Sequence, residues 1–213
     1  HQQNKNEYLQ SRSSGFDIDN VNLDALVSAL ETQPTVSNAI SSSLESYLSR
    51  LQFNGFDNLV LLTASARFDG SSRFASGNKW GFFPSLGAAI NLSQQNVLNS
   101  NLFDVIKLRG SYGETGNTAI GSYLSLSRAG FSNYIFNGNS LVTGASIDRL
   151  SNPDLTWETT TQTDFGLSLS MLDNRVNIEA DYYNKTTDDL LLDVPLPVTS
   201  GYETRFVNIG SVQ

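Results

Sequence analysis

Hydrophobic and polar residues alternate along several stretches of this chain. In the segment 59–69 one face is apolar and the other is polar, with Val60, Leu62, Ala64, Ala66 and Phe68 set against Thr63, Ser65, Arg67 and Asp69. A period of two is typical of a β-strand, because successive side chains of a strand point to opposite faces. The alternation recurs at 85–92, 106–112, 161–171 and 175–183, and more weakly at 46–54. The sequence therefore predicts an all-β fold with about six antiparallel strands.

The lengths of the strands and of their connections indicate the kind of β fold. The strands have roughly 8 to 11 residues, which matches the ~9–11 residues that a tilted strand needs to cross a bilayer and exceeds the ~5–6 usual in soluble proteins. Short connections at 55–58 and 172–174 alternate with long ones at 70–83 and 114–160. Outer-membrane barrels have short periplasmic turns and long extracellular loops. The pattern predicts part of a transmembrane β-barrel, and the period alone also fits a soluble β-sandwich.

The first 45 residues lack the strand pattern. Apolar residues recur there at helical spacing and stop before Pro34: Leu23, Leu26, Val27 and Leu30. This spacing predicts a short helix inside a loop. We therefore expect residues 1–45 to form a variable extracellular loop region with a short helix, followed by the barrel strands of 46–213.

Composition excludes several kinds of chemistry. The 213 residues include no cysteine and a single histidine, His1, so the sequence offers no disulfide, thiolate metal site or histidine cluster, and we expect no cofactor. With 13 Lys and Arg against 21 Asp and Glu, the net charge of −8 argues against a nucleic-acid partner. No apolar run approaches the ~20 residues of a membrane-spanning helix, and the first residues do not form a signal peptide.

Two groups of acidic residues are weak candidates for chemistry. Asp17, Asp19 and Asp24 lie in an oxygen-rich run that resembles a calcium loop, but the EF-hand glycine and terminal glutamate are absent. Helix capping and solvation are the favoured explanation of that run. Asp188 and Asp189 are adjacent, and adjacent strand residues point to opposite faces, so they do not form a catalytic carboxylate pair. No catalytic residue is predicted.

Aromatic residues on the predicted extracellular side are candidates for substrate binding. They are Trp80, Phe82, Phe83 and Trp157. Exposed aromatic rings stack well on sugar rings, and the alternative is that they anchor the barrel at the membrane interface. Arg67, Asp69 and Arg73 are predicted to form a polar network at the rim of the lumen.

Several blocks of the sequence resemble the SusC-like TonB-dependent transporters over about residues 44–213. They are ARFDGSSRF at 66–74, KWGFFPS at 79–85, KLRGSYGETGN at 107–117, NPDLTWETTTQ at 152–162, DYYNKTTDDLL at 181–191 and NIGSV at 208–212. The resemblance implies an outer-membrane barrel of about twenty-two strands around a plug, and it makes 46–213 a part of that barrel.

The resemblance also implies a function. Members of the family import oligosaccharides or peptides with a SusD-like surface lipoprotein as a lid, draw energy from TonB through the plug, and sit in outer-membrane lipid. The plug and the TonB-binding segment are not within these residues, so this segment is expected to supply wall and loops without catalysis. The alternatives are a soluble β-sandwich that binds glycans or a protein, a glycan-active enzyme, and a siderophore or cobalamin receptor of the wider TonB-dependent family.

Overall fold

The computed structural model describes residues 1–11, 13–14, 31–32, 36–92, 103–136, 138 and 140–213. The chain divides into two compact units, His1–Ser43 and Leu44–Gln213. The helix predicted at 23–30 and the acidic candidates Asp17, Asp19 and Asp24 lie outside the described residues.

Almost all of the regular structure is β-strand. The strands are β1 Gln2–Gln10, β2 Ser13–Ser14, β3 Glu31–Thr32, β4 Val36–Gly55, β5 Val60–Ser71, β6 Trp80–Asn91, β7 Phe103–Asn117, β8 Arg128–Phe136, β9 Ser140–Arg149, β10 Glu158–Met171, β11 Val176–Asp188, β12 Leu191–Pro195, β13 Thr204–Asn208 and β14 Ser211–Val212. A 3-10 turn covers Val198–Ser200. No helix among the described residues has the length and apolar character needed to cross a membrane.

In the first unit, β2 pairs with β3 in antiparallel fashion. In the second unit, neighbouring strands of one sheet follow the order β4-β5-β6-β7-β10-β11-β14. The pairings resolved between them are antiparallel, and the predicted all-β antiparallel fold is confirmed. Two hairpins, β8–β9 and β12–β13, lie in the long connections after β7 and β11. The six long strands of this sheet are the six that the alternation predicts.

The prediction of a loop over 70–83 is wrong at its end, because β6 begins at Trp80. The side chains still alternate there: Trp80 and Phe82 lie on one face and Phe83 on the other. Two adjacent phenylalanines followed by Pro84 hide this alternation in the sequence, and proline normally argues against a strand.

The short turns lie at one end of the sheet. In the β4–β5 turn Phe56, Asp57 and Asn58 have φ of 56°, 53° and 65°, and the β10–β11 turn repeats this conformation at 172–174. Asn and Asp tolerate the left-handed region better than other residues with a side chain. At the opposite end the connections are long, as the sequence predicts.

The sheet of the second unit has one apolar and one polar face. Tyr47 lies opposite Phe68, and Phe68 lies opposite Phe82. Leu86, 60% exposed, lies opposite Tyr112. We call this surface the apolar face; it consists of Tyr47, Leu51, Phe53, Leu62, Phe68, Trp80, Phe82, Leu86, Ile90, Leu108, Tyr112, Phe165, Ile178 and Tyr182.

Within the described residues of this unit, no second large sheet covers the apolar face, and its side chains remain exposed. A soluble sandwich buries the inner faces of two sheets against each other. The exposed apolar face of the described residues therefore differs from the inner face of a sandwich sheet and fits the predicted barrel.

The buried hydrophobic residues of the described chain lie at the end with the long connections. We call them the loop cluster: Phe74, Phe83, Ile120, Leu155 and Trp157, each at most 5% exposed. Phe83 comes from the polar face of β6, and the other members come from the connections between strands. Tilted and edge-on ring contacts join Trp157 to Phe74 and Phe83, with centroids 5.4 and 5.3 Å apart. The cluster therefore fastens the long connections to the polar side of the sheet.

Candidate functional site

The polar face of the sheet carries the charged and hydrogen-bonding groups of the strands. They include Arg50, Gln52, Thr63, Ser65, Arg67, Asp69, Ser85, Lys107, Arg109, Ser111, Glu158, Gln162, Asp164, Glu179, Asp181 and Lys185. The strand register brings these side chains together, since residues opposite each other on paired strands share a face.

An ion pair on this face crosses the whole width of β10. Arg109 of β7 and Asp181 of β11 both lie opposite Gly166 of β10. Arg109 Nη2 donates to both carboxylate oxygens of Asp181 at 2.6 and 2.7 Å, and Nη1 donates to Ser168 Oγ at 3.0 Å. A Cβ at position 166 would overlap both the arginine and the aspartate side chains. Glycine at this position therefore lets the two side chains meet across the intervening strand.

Beside this ion pair the polar face is concave. Asp164 accepts hydrogen bonds from Ser111 Oγ at 3.1 Å and from Gln162 Nε2 at 2.9 Å. A cavity of about 500 Å³ lies between Asp164 and Arg109, and an adjoining one of about 410 Å³ extends toward Lys185. Gly87 lines both cavities, because it has no side chain to fill the space. The arrangement places positively charged donors and negatively charged acceptors along one groove.

The predicted rim network is present in part. Arg67 Nε donates to Asp69 Oδ2 at 2.6 Å, and Asp69 is 4% exposed. Arg73 instead donates from Nη1 to the Thr118 carbonyl oxygen at 2.6 Å, and its own carbonyl oxygen accepts from Ser125 Oγ at 3.2 Å. Arg67 and Asp69 thus form a pair on the polar face, while Arg73 joins two of the long connections.

The four aromatic candidates divide between two places. Trp80 and Phe82 lie on the apolar face and are 44% and 58% exposed. Phe83 and Trp157 are buried in the loop cluster, each 5% exposed. None of these rings is exposed on the polar face, so the geometry argues against a shared stacking site for cargo.

Hydrogen bonds hold the segment before β10 in place, and sequence reasoning missed the residues that make them. Asn208 Oδ1 accepts from the Thr156 N–H at 2.9 Å, and its Nδ2 donates to the carbonyl oxygens of Thr156 at 2.9 Å and Asp189 at 3.0 Å. Asn152 Nδ2 donates to the Phe206 carbonyl oxygen at 2.6 Å. The alternation of apolar and polar residues cannot identify a single asparagine of this kind. The only sequence signal is that Asn152 and Asn208 each begin a block that carries the family resemblance.

The described residues contain no group of three or more His, Cys, Asp or Glu side chains arranged to hold a metal ion. The weak calcium candidates at 17, 19 and 24 are outside that part of the chain.

Comparisons with known proteins identify the family. The family model described as TonB dependent receptor-like, beta-barrel, matches residues 3–213, which includes most of the first unit. TonB-dependent receptor P26 of Formosa agariphila is 37% identical over 209 residues, which are 97% of this chain and 21% of that protein. TonB-dependent receptor SusC of Bacteroides thetaiotaomicron is 36% identical over 182 residues, which are 82% of this chain and 18% of that protein.

Solved structures agree with the sequence comparisons. The RagAB peptide importer in its open-open state superposes with a TM-score of 0.80 at 33% identity, over 98% of this chain and 23% of that one. Its closed-closed state gives a TM-score of 0.78 over the same share of both chains. The chain spans about a fifth of the length of these relatives. With a family model that covers residues 3–213, the chain belongs to the TonB-dependent receptor β-barrel family and forms part of the barrel of a bacterial outer-membrane protein.

Proposed function

We propose that this chain is part of an outer-membrane importer of the SusC type, which takes up oligosaccharides or peptides. The observation that carries the proposal is the match to the RagAB peptide importer over 98% of the chain at 33% identity. The match to SusC, at 36% identity over 82% of the chain, also supports it.

The two faces of the sheet support this function. In an outer-membrane barrel the apolar residues of each strand face lipid and the alternate polar residues face the lumen. The apolar face described above is then in contact with outer-membrane lipid, and the polar face lines the path of the cargo. The charged and hydrogen-bonding side chains that line its groove suit a hydrophilic cargo such as a sugar or a peptide.

The proposed partners follow from the relatives. A SusD-like surface lipoprotein would cover the extracellular end, and TonB would act through a plug that is not among residues 1–213. The long connections around the loop cluster lie at the end that such a lid would meet. In this mechanism residues 1–213 form part of the barrel wall and its loops. Movement of the plug then opens a path for the cargo along the polar face.

We further propose that the segment performs no catalysis and that Trp80 and Phe82 anchor the barrel at the membrane interface. Outer-membrane barrels carry girdles of aromatic residues at both interfaces, and Trp suits this level because its apolar ring also has a polar N–H group. Trp80 also stacks on Phe68, which belongs to the same face. Phe83 and Trp157 fasten the loops, and cargo contact by any of these four rings is the less favoured hypothesis.

A pull-down tests the proposal directly. The full-length protein would carry an affinity tag inserted at Gly138, an exposed residue between β8 and β9 with φ of 78°. We expect a surface lipoprotein to copurify from outer membranes at equal stoichiometry, and a deletion strain to lose growth on the imported nutrient. A receptor that copurifies with no lipoprotein, and whose uptake is inhibited by iron chelates or cobalamin, would instead be a siderophore or cobalamin receptor.

A further inference from the structure

A fixed arginine lies on the polar face just below the loop cluster. Arg67 donates from Nε to Asp69, and within the described part of the chain its terminal nitrogens Nη1 and Nη2 have no acceptor. The side chain of Arg67 is 43% exposed, whereas that of Asp69 is 5% exposed. The pair therefore uses Nε of the guanidinium and leaves its terminal fork without an acceptor among the described residues.

Two contacts prevent Arg67 from moving away. Asp69 is a buried carboxylate whose Oδ1 has no partner among the described residues, so loss of its bond to Arg67 would leave the whole charge uncompensated. The guanidinium carbon also lies 5.7 Å from the centroid of the Phe83 ring, within range of a cation–π contact. Phe83 is itself held in the loop cluster. Because folding already orders the Arg67 side chain, a ligand that binds it loses little further conformational entropy.

A second arginine lies beside the first. Arg50 of β4 is opposite Ser65 of β5, two residues before Arg67, so the two arginines are diagonal neighbours on the same face. Diagonal neighbours on antiparallel strands are about 7–8 Å apart. Arg50 is exposed, and no carboxylate pairs with it in the described residues. Two like charges at this spacing repel each other, and an anion between them would relieve the repulsion.

The charge of this region differs from that of the chain. On the polar face of β4, β5 and β6 within the second unit, Arg50 and Arg67 are opposed by one acid, Asp69, which gives a local charge of +1. The whole chain has a net charge of −8. On the polar face of β7, β10 and β11, by contrast, the cations Lys107, Arg109 and Lys185 are outnumbered by four acids, Glu158, Asp164, Glu179 and Asp181. On the described polar face of this sheet, net positive charge is thus found on β4 and β5 and not on β7, β10 and β11.

We propose that Arg67 and Arg50 form a binding site for a carboxylate carried by the imported cargo. The planar terminal fork of Arg67 matches the two oxygens of a carboxylate in a bidentate arrangement. Arg50 adds a second positive charge beside it, and the neighbouring Ser65 and Ser85 hydroxyls, bonded to each other at 2.6 Å, add polar groups at the same height. The site would favour acidic peptides or acidic oligosaccharides over neutral ones, and it rests on the proposed import function.

The test uses the purified full-length receptor and two pairs of probes. One pair is a heptapeptide with blocked termini that contains two glutamates, and the same peptide with two glutamines. The other is an oligogalacturonate and a neutral galacto-oligosaccharide of equal length. Calorimetry with the two pairs distinguishes a peptide carboxylate from a uronate.

The variants are chosen so that no buried charge is left alone. Arg67→Gln by itself would orphan Asp69, so the main variant is the double substitution R67Q/D69N, with D69N as its reference and Arg50→Gln as an independent second variant. Arg175→Gln, at the short-turn end of the sheet, removes the same charge far from the site. Thermal melting of each variant verifies that the receptor is folded.

We expect the wild type to bind one acidic probe more tightly than its neutral partner. R67Q/D69N should weaken acidic binding by roughly tenfold to a hundredfold relative to D69N, as expected for charge-assisted hydrogen bonds, while R175Q leaves it unchanged. Equal binding of acidic and neutral probes, or equal losses in R67Q/D69N and R175Q, would overturn the site and leave the importer standing. A large fall in melting temperature with unchanged probe affinity would also overturn it, because the arginines would then bind an acid of the receptor itself. Absence of any uptake defect in the deletion strain would overturn the importer instead.

Discussion

Trp80 stacks on Phe68 with ring centroids 4.9 Å apart and an angle of 7° between the ring planes. Tyr47 extends the stack, with its centroid 6.2 Å from that of Trp80. Trp80 lies opposite Gly70, where a Cβ would come within 2.7 Å of the indole ring, so the glycine leaves room for the tryptophan to lie flat over the strand. This aromatic ladder lies on the apolar face at the end with long connections, where the interfacial belt of a barrel is expected.

Adjacent residues of β6 should report opposite environments. Leu86 lies on the apolar face and Ser85 on the polar face, and residues 1–213 contain no cysteine to interfere with labelling. In the full-length receptor in bilayers, a spin label at Leu86→Cys should collide with oxygen more than with a water-soluble nickel complex, and a label at Ser85→Cys should show the reverse. The reason is that the side chains of a strand alternate between lipid and lumen. Equal accessibility at both positions would contradict the assignment of the faces.

Gly116 should tolerate no side chain. A Cβ at this position would overlap the ring of Phe83, which is 5% exposed and packed against Trp157. We expect Gly116→Ala to lower the free energy of opening of the loop cluster by about 1–3 kcal/mol, the usual cost of overpacking. Hydrogen exchange at the buried Leu155 measures this opening.

A matched control exists on a neighbouring strand. At Gly87 the nearest atom to an added Cβ is the Ser111 Cβ at 4.0 Å, which is an ordinary contact. Gly87→Ala should therefore leave exchange at Leu155 unchanged. If Gly87→Ala lowered protection at Leu155 as much as Gly116→Ala, overlap with the Phe83 ring would not explain the loss.

The sheet could be predicted from the sequence more fully than the loops. Alternation identified β5, β7, β10 and β11 because each has one face in an apolar environment and one in a polar one, which fixes the period. The same rule missed the start of β6. Phe82 lies on the apolar face and Phe83 packs in the loop cluster on the other face, so two adjacent positions are both apolar.

The loop cluster could not be predicted for a different reason. Phe74, Leu155 and Trp157 come from segments without regular structure, and their contacts depend on how distant connections meet. The hydrogen bonds of Asn208 likewise involve atoms of the main chain, which the sequence does not distinguish. The lumen ion pair of Arg109 and Asp181 required the strand order, since the two residues lie two strands apart.

The β8–β9 hairpin should weaken at low pH. Hydrogen bonds from Arg128 to Asp148, with Nη2–Oδ2 at 2.8 Å, lower the pKa of the Asp148 carboxyl below its ordinary value, and the positive charge of Arg128 acts in the same direction. A carboxyl whose pKa is lower in the folded state stabilises that state above the unfolded pKa, near 3.9, and this contribution is lost as pH falls through the folded pKa.

Hydrogen exchange in the hairpin should therefore have the same protection at pH 7 and pH 5 and lose protection below about pH 4. Because Arg128 is exposed, high salt should reduce the effect at pH 7. Asp148→Asn should remove this part of the pH dependence. A wild-type profile identical to that of the variant would show that the ion pair contributes nothing to the hairpin.

Asn208 should control the position of the segment that leads into β10. Its side chain satisfies both the N–H and the carbonyl oxygen of Thr156, much as a neighbouring strand would. Asn208→Ala would leave both groups unpaired in a part-buried site, and we expect a loss of about 1–3 kcal/mol in protection of the Thr156 amide, measured by hydrogen exchange. Asn208→Asp keeps an acceptor for the N–H but places a carboxylate oxygen against two carbonyl oxygens, so it should be no better than alanine. Asn184→Ala, at an exposed position of β11, is the matched control, and equal losses at 184 and 208 would mean that the amide of Asn208 does not hold this segment.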